Sequence, residues 1–474
     1  MNRFQNVWEN IRSSLWFIPA LMVLGAFVLA MISIRIDRWL DARESEISGV
    51  LFGGTGSAAR TILSTIAGSL VTVISIAFSI TVVALQQASA QFSPRVLRQF
   101  TADRGNQFVL GTYTGTFIYS LLVLRVVRSE EEDLVQRFVP AVSVTLAIGL
   151  ALLCLALLIY FIHHMSQELQ VSVIMDDVRR ETIEQIDFLY PESLGTAVAH
   201  GPSAPPQPEE FARGRQPQYI RAVSAGYVRA IDEDALLNAP TDMAWVWIRR
   251  QVGEFVPYGG ILAEVDRRNG DADPAIDAMR QAFVLDRERT VKQDPLFGIK
   301  LLVDIALRAL SPGVNDPTTA EDALCHLGDI ICRLADRAFP PNVRATHDGR
   351  TLFIFSRPTW DDYVDAAFSQ IRRAAESQVH VLGILLRVLR EIALRVQPGP
   401  RAEALRHQLD EIRRIVARQS FSDADKDALN GLADAVDNAL RTTITAPLPL
   451  DRPPDAGDDS RSTSGARRAP DVSR

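Results

Sequence analysis

Hydrophobic residues are concentrated in the first third of the chain. Between residues 15 and 165 most positions are apolar, whereas residues 166–474 carry most of the charge. The first apolar run, residues 15–34, has 20 residues and no charged side chain. A helix of that length rises about 30 Å, which matches the hydrocarbon thickness of a bilayer. The run therefore predicts a membrane-spanning helix.

Three further apolar runs of spanning length follow, at residues 62–85, 107–127 and 138–162. A cleaved signal peptide is the alternative for the first run, because Arg3 and Arg12 precede it. That run is too long for a signal peptide, and no small-residue cleavage site follows before Arg35. We therefore predict a four-helix membrane domain over residues 1–165, with both termini on the same side.

The distribution of basic residues leaves the orientation nearly undecided. With the N-terminus inside, the inner segments hold seven arginines and the outer loops hold six. The three cysteines are too few for a disulfide framework, which favours a reducing compartment for the hydrophilic part. We expect a multi-pass protein of the bacterial inner membrane with both termini in the cytoplasm.

The second apolar run carries small and hydroxylated residues along one helical face. Steps of three and four residues connect Thr65, Gly68, Thr72, Ser75, Ser79, Val82 and Gln86. Such a stripe is typical of close helix packing, because small side chains let two backbones approach. It is also typical of a water-filled pathway, because hydroxyl oxygens replace part of an ion's hydration shell. Both interpretations remain open, and the candidate pathway-lining residues are Thr65, Thr72, Ser75, Ser79 and Gln86.

The remaining spans add little chemistry. Gly111 and Gly115 in the third run have the GxxxG spacing of close helix contacts. No Asp, Glu or Lys lies at mid-depth in any of the four runs. Ion-coupled transporters and pumps usually carry ionisable residues there, so this class is disfavoured.

The hydrophilic part is predicted to be an α+β domain. A helical extension over residues 166–192 leads into a Pro- and Gly-rich linker over 193–217. Short strand patterns over 218–270 indicate a small β-barrel-like module, and residues 271–443 have helical periodicity. Residues 444–474 have the composition of a disordered tail. The β module resembles the barrel-sandwich domains of biotinyl and lipoyl carriers, but it contains no Lys for a prosthetic group.

The sequence shows no catalytic motif, and we expect no enzyme activity. It contains no GxSxG, phosphate-binding loop, HExxH or CxxC, so no cofactor or metal site is predicted. The net charge of −7 disfavours nucleic acid as a partner. The densest polar cluster contains Arg287, Arg289, Gln293, Asp294, Asp304, Arg308, Asn315 and Asp316. We interpret it as helix caps and cross-links, because Asp294-Pro295 and Asp316-Pro317 each place a capping acid before a Pro at the first position of a predicted helix. A small polar ligand at Asp304, Arg308, Asn315 and Asp316 is the alternative.

Long phrases connect the sequence to a known family. It resembles the bacterial predicted membrane proteins catalogued as domain of unknown function 2254. The matching phrases are LWFIPALMVL, RTILSTIAGSLVTVISIAFSITVVALQQASAQFSPRVLRQF, RGNQFVLGTYTGTFIY, LIYFIHH and QDPLFGIKLLVDIALRALSPGVNDPTTA. They cover most of residues 10–440. The resemblance implies four membrane spans and a large hydrophilic C-terminal domain, and it implies no activity.

Two functions fit these patterns. The first is an oligomeric, channel-like conduit, with the second span near the axis and the hydrophilic domain as a gate or sensor. The second is a membrane-anchored scaffold or signalling adaptor whose hydrophilic domain binds a partner. In both cases the lipid bilayer is the surrounding partner, and a homo-oligomer is expected.

The predicted orientation is testable with reporter fusions after Arg43, Arg98, Glu131 and Arg215. Four spans with cytoplasmic termini require the reporters to read outside, inside, outside and inside, in that order. Alkaline phosphatase and green fluorescent protein activities in cells provide the readout. A periplasmic signal at Arg215 would contradict the orientation.

Overall fold

The structure is a computed structural model. It describes residues 16–41, 51–91, 103–127, 138–168, 170–191, 218–238, 243, 245–266, 274–346 and 351–442. The predicted linker over 193–217 and tail over 444–474 lie outside the described residues.

Four long apolar helices form the N-terminal part, as the sequence predicted. They are α1 (Phe17–Asp41), α2 (Gly56–Gln91), α3 (Arg104–Leu124) and α4 (Ala141–Glu168). Each is long and apolar enough to cross a membrane. The prediction of four apolar spans is therefore confirmed at the level of length and composition.

Helix α3 is the central helix of this bundle. It is the least apolar of the four and the most buried, because it packs against α1, α2 and α4. Three of its hydroxyl groups donate to carbonyl oxygens of the same helix, and Thr112 Oγ1, for example, donates to Phe108 O at 2.9 Å. A Cβ at Gly111 would lie 2.6 Å from Met22 Sδ of α1. The Gly111–Gly115 pair is therefore the close contact between α1 and α3.

A buried polar network joins the end of α1 to the start of α4. The Asp37 carboxylate accepts hydrogen bonds from the backbone N–H groups of Val142 at 2.8 Å and Ser143 at 3.0 Å. The Ser143 hydroxyl donates to the same carboxylate at 2.6 Å. Tyr119 of α3 donates to Ser143 O and contacts the Ser33 hydroxyl at 2.9 Å. Asp37 thus caps α4 in a buried setting where the helix's first N–H groups would otherwise lack partners.

The other end of the bundle is joined by Asp103. Its side chain caps α3 by accepting from Gly105 N and Asn106 N. The same carboxylate lies 3.0 Å from His164 Nε2 near the end of α4. The His164 ring stacks on Tyr160 one turn earlier, with centroids 5.4 Å apart.

Helix α5 (Val171–Leu189) follows α4 almost directly and enters the hydrophilic part. Its apolar face, with Ile174, Met175 and Val178, belongs to the helical core. Asp187 on α5 accepts two hydrogen bonds from the Arg333 guanidinium, both at 2.8 Å. The fourth span is therefore anchored in the hydrophilic part by both burial and charge.

The described residues that follow include two short helices and the strands of two sheets. The helices are α6 (Glu233–Leu237) and α7 (Pro274–Gln281). The strands are β1 (Gln218–Arg221), β2 (Gly226–Ile231), β3 (Trp245–Ile248), β4 (Phe255–Val256), β5 (Ile261–Val265), β6 (Phe283–Asp286), β7 (Val343–Ala345) and β8 (Leu352–Phe355).

The two sheets have orders β1-β5-β3-β8-β7 and β4-β2-β6. Strands β3 and β8 pair in parallel, with Val246 opposite Phe353, and the other pairs are antiparallel. Strands β6, β7 and β8 come from outside the predicted module of residues 218–270. The described strands form two open sheets, so a mixed helix and sheet region is confirmed and a closed barrel is not.

The remaining helices form the main hydrophilic core with α5. They are α8 (Pro295–Ala309), α9 (Pro317–Ala335), α10 (Trp360–Ala374), α11 (Val379–Ala393), α12 (Pro400–Arg418) and α13 (Asp423–Arg441). The Asp-Pro pairs begin α8 and α9 as predicted. Asp294 accepts from Phe297 N and Asp316 from Thr319 N, with Pro at the first helical position of each.

Close packing of α5 on α8 is testable at Gly298. A Cβ at this position would collide with Oγ1 of Thr182, which is fully buried. We expect Gly298→Ala to destabilise the purified full-length protein by roughly 1–3 kcal/mol, because the contact has no room for a methyl group. Thermal unfolding followed by circular dichroism measures the effect.

Two variants separate this packing effect from a general effect of Gly replacement. Gly431→Ala in α13, where nothing lies within 4 Å of the new Cβ, should be neutral or stabilising. Adding Thr182→Ala to the Gly298→Ala protein should recover part of the lost stability, because the colliding hydroxyl is then removed. Equal destabilisation by Gly298→Ala and Gly431→Ala would contradict the α5–α8 contact.

Candidate functional site

The predicted stripe on α2 lies on the outer surface of the single chain. All of its members are exposed: Thr65, Gly68, Thr72, Ser75, Ser79, Val82 and Gln86. The opposite face of α2 is buried in the bundle through Leu63, Leu70, Ala77 and Ala84. The stripe therefore does not serve packing inside the chain's own bundle.

The stripe runs along the middle of the exposed face of α2. At 100° per residue, Val71 and Phe78 flank it on one side and Ile76 and Val83 on the other. These four side chains are exposed and apolar, with Phe78 62% exposed. The outer face of α2 therefore presents a narrow polar band between two apolar margins.

Two of the stripe hydroxyls, those of Thr65 and Ser75, are bonded to their own helix. Thr65 Oγ1 donates to Thr61 O at 2.7 Å, and Ser75 Oγ donates to Val71 O at 2.8 Å. Their donor capacity is used, but each oxygen keeps lone pairs that can accept from water or contact a cation. The geometry is compatible with helix–helix packing between copies and with a wet pathway.

The C-terminal part of α2 reaches the hydrophilic part. Leu85, one residue before Gln86, packs against the core of α5 and α8–α13. Helix α2 is therefore in physical contact with that core, and α4 is connected to it through α5.

The predicted polar cluster separates into two groups in the structure. In the first, Asp294 is 4% exposed and pairs with Arg289, whose Nη2 lies 2.7 Å from Oδ2. Burial raises the pKa of Asp294 even though this guanidinium favours the carboxylate. Gly253, with φ of +88°, leaves space for the pair, since a Cβ there would collide with both partners.

The second group lies on α8 and in the α8–α9 turn. Asp304 is half-buried and Arg308 is exposed on α8. Asn315 has φ of +49°, and its N–H donates to Ser311 O at 2.9 Å. Asp316 accepts from Thr319 N at 3.1 Å and from Thr319 Oγ1 at 2.6 Å. These bonds of Asn315 and Asp316 are local and support turn and cap roles, and ligand binding at this group stays a prediction.

A cleft that the sequence did not predict lies where the sheets meet the helical core. Its cavity of about 450 Å³ has Glu233, Arg344 and Arg357 in its lining. Glu233 Oε2 lies 3.0 Å from Arg344 Nη1 and 2.6 Å from Arg357 Nη2. These residues are 111 and 124 positions apart from Glu233, so no local pattern connects them.

Gln293 connects three elements at the edge of this cleft. Its φ is +58°, which is uncommon for a residue with a side chain. Its Oε1 accepts from Ile231 N of β2 at 3.2 Å, and its own N–H donates to Gln185 Oε1 of α5 at 3.0 Å. The cleft is therefore built where the sheet, α5 and α8 meet.

Comparisons with known proteins agree with the membrane architecture. The model of a family described as "Predicted membrane protein (DUF2254)" matches residues 12–391. Uncharacterized proteins of Mycobacterium bovis and of Mycobacterium tuberculosis strain H37Rv are each 33% identical over 459 residues, which is 95% of this chain and 85% of each relative. No solved structure matches this chain.

Asp316 distinguishes the cap role from a ligand role. If it caps α9, Asp316→Ala should cost about 1 kcal/mol, whereas Asp316→Ser should cost much less because Ser also caps. Hydrogen bonds from Thr319 lower the pKa of Asp316. The contribution of the Asp316 carboxylate to folding stability should therefore be fully present above a pH of about 4, the ordinary pKa of Asp. It should be lost as the pH falls through the lowered pKa of the folded state. Unfolding of the full-length protein at pH 7 and pH 3 measures both effects.

The opposite result would change the assignment. Stability equal to that of the unsubstituted protein in both variants, combined with loss of function in cells, would assign Asp316 to a ligand site.

Proposed function

This chain belongs to the DUF2254 family of predicted membrane proteins, and we propose that it is one subunit of a homo-oligomeric membrane conduit. In this proposal the second span lies near the axis, and Thr65, Thr72, Ser75, Ser79 and Gln86 line the path. The conduit carries small hydrophilic solutes or ions and performs no chemical step. The hydrophilic part acts as its gate or sensor.

The outward position of the α2 stripe carries this proposal. A single chain exposes a polar band on a helix long and apolar enough to span a membrane. Lipid offers that band neither water nor small-residue packing. Several copies arranged around an axis give the band both a neighbour and a shared wet space, with Val71, Phe78, Ile76 and Val83 as apolar margins.

The other side chains of the described spans favour passive conduction. Among these residues, no Asp, Glu or Lys lies at mid-depth, and Asp37 is occupied by the α4 cap. Ion-coupled transport usually requires an ionisable relay within the membrane. A hydroxyl-lined path without such a relay supports a channel-like mechanism.

The hydrophilic part is placed to influence the path. Helix α4 leads into α5, which is fixed to α9 by Asp187 and Arg333 and to α8 by the Thr182–Gly298 contact. Leu85 connects the end of α2 to the same core. A rearrangement in that core therefore moves the inner ends of two spans. We place this core in the cytoplasm and the spans in the inner membrane.

The cleft between the sheets and the helical core supports a second candidate function. A membrane-anchored adaptor would bind its partner there, with the spans serving only as an anchor. Arg344 and Arg357 both pair with Glu233, and this favours the alternative. A charged group of a partner can exchange with one member of these ion pairs, so the cleft offers charges for recognition.

Cysteine scanning of α2 tests the conduit. Single Cys replacements of Thr72, Ser75 and Ser79 should react with a membrane-impermeant thiol reagent, because a thiolate forms only at wet positions. Cys at Ala77, which is buried in the chain's own bundle, should not react. Cys at Phe78, on the apolar margin, should react less than Cys at Ser75 or Ser79.

Conductance completes the test. Ser75→Leu should abolish conductance of the purified protein in planar bilayers, while the matched Phe78→Leu should retain it. Subunit assembly measured by cross-linking serves as the control for folding. An unlabelled α2 together with a protein that does not conduct would favour the adaptor.

A further inference from the structure

A second cavity, of about 320 Å³, lies beside the cleft where α5, α10 and α12 meet. Its lining includes Tyr190, Phe339, Asn342, Arg357, Trp360 and Arg401. Among the described residues that line it, none is Asp or Glu. The lining therefore combines two guanidinium groups with three aromatic rings.

Arg401 is held rigidly against two of these rings. Its guanidinium carbon lies 5.0 Å from the Phe339 ring centroid and 5.4 Å from the Trp360 centroid. Its Nη1 donates to Ala335 O at 2.9 Å and its Nη2 to Arg337 O at 3.0 Å. Within the described part of the chain its acceptors are main-chain carbonyls, so no carboxylate compensates its charge. Burial accordingly lowers the pKa of Arg401, although an arginine remains protonated at neutral pH.

Arg357 also has donor capacity left. Its Nη2 is bonded to Glu233, but Glu233 is shared with Arg344. The Arg357 side chain is 17% exposed, and its guanidinium has more N–H donors than the one bonded to Glu233. An oxygen atom of an anion in the cavity would accept from them.

The aromatic part of the lining is neutral. The hydroxyl groups of Tyr190 and Tyr363 are 2.9 Å apart, and burial raises the pKa of Tyr190 above its ordinary value. The phenol therefore does not repel an anion at neutral pH. The indole N–H of Trp360 is occupied by Arg401 O at 3.0 Å, so Trp360 presents its ring system rather than its donor.

We propose that this cavity binds a small aromatic anion, a planar ring carrying one carboxylate or phosphate group. Arg357 and Arg401 bind the anionic group, since guanidinium groups match the geometry of these oxygens. Phe339, Trp360 and Tyr190 enclose the ring. The volume lies at the lower end of the range for small-molecule sites, which limits the ligand to about one ring system. This binding does not depend on whether the second span conducts.

Isothermal titration calorimetry of the full-length protein in detergent tests the proposal. The probes are phenyl phosphate and benzoate, with inorganic phosphate as the ringless control and benzyl alcohol as the uncharged control. We expect saturable binding of at least one aromatic anion. Both controls should bind roughly tenfold or more weakly than the aromatic anion, because inorganic phosphate lacks the ring and benzyl alcohol lacks the negative charge.

Three variants assign the binding to this cavity. Asn342→Asp introduces a carboxylate at an exposed lining position and should weaken binding several-fold without disturbing the core. Arg357→Gln should weaken it roughly tenfold or more. Arg413→Gln is the control, because Arg413 also lies on α12 but pairs with Asp434 and does not line this cavity. The affinity of this variant for the aromatic anion should stay unchanged.

Several outcomes would overturn the proposal. They are no saturable binding of either aromatic probe, equal binding of a control compound, or affinity that neither Asn342→Asp nor Arg357→Gln changes. Because Asn342 is exposed, its result holds even if Arg357→Gln does not fold.

Discussion

The contact of Thr182 on α5 with Gly298 on α8 links the helix that follows the fourth span to the rest of the hydrophilic core. Only a residue without a side chain lets α8 approach α5 so closely. The core formed by α5 and α8–α13 depends on this approach. The cleft also depends on it, because Gln293, two residues before the start of α8, binds both α5 and β2. Charge pairs such as Asp187–Arg333 reinforce an arrangement that packing establishes.

Within the bundle, the buried polar side chains lie mainly on α3 and near the helix ends. Helix α3 carries most of the buried hydroxyl and amide side chains and is surrounded by the other three helices. Asp37 and Asp103 cap helix starts near opposite ends of the bundle. The α2 stripe is different, because it is polar and faces outward. Because of this contrast, the stripe is the candidate surface for contact with other copies of the chain or with water.

The sequence was sufficient for features that depend on local pattern. Apolar runs predicted the four long helices, and the Asp-Pro pairs predicted the starts of α8 and α9. Pairing between distant segments was not accessible. Strand β8 lies about 100 residues beyond β3, and its apolar residues do not reveal which strand it joins. The pairing of Glu233 with Arg344 and Arg357 could not be predicted for the same reason, because it joins segments that are far apart in the sequence. Periodicity identified the α2 stripe, but only the neighbouring helices decide which face of α2 is buried.

The cap on α4 has a consequence for biogenesis. Asp37 is made early, and its partners Val142 and Ser143 follow 105 and 106 residues later. Until the fourth span has been synthesised, the Asp37 carboxylate near the end of the first span lacks these donors, and water or lipid headgroups must solvate it instead. The contact between the end of α1 and the start of α4 therefore forms only after the last span has been made.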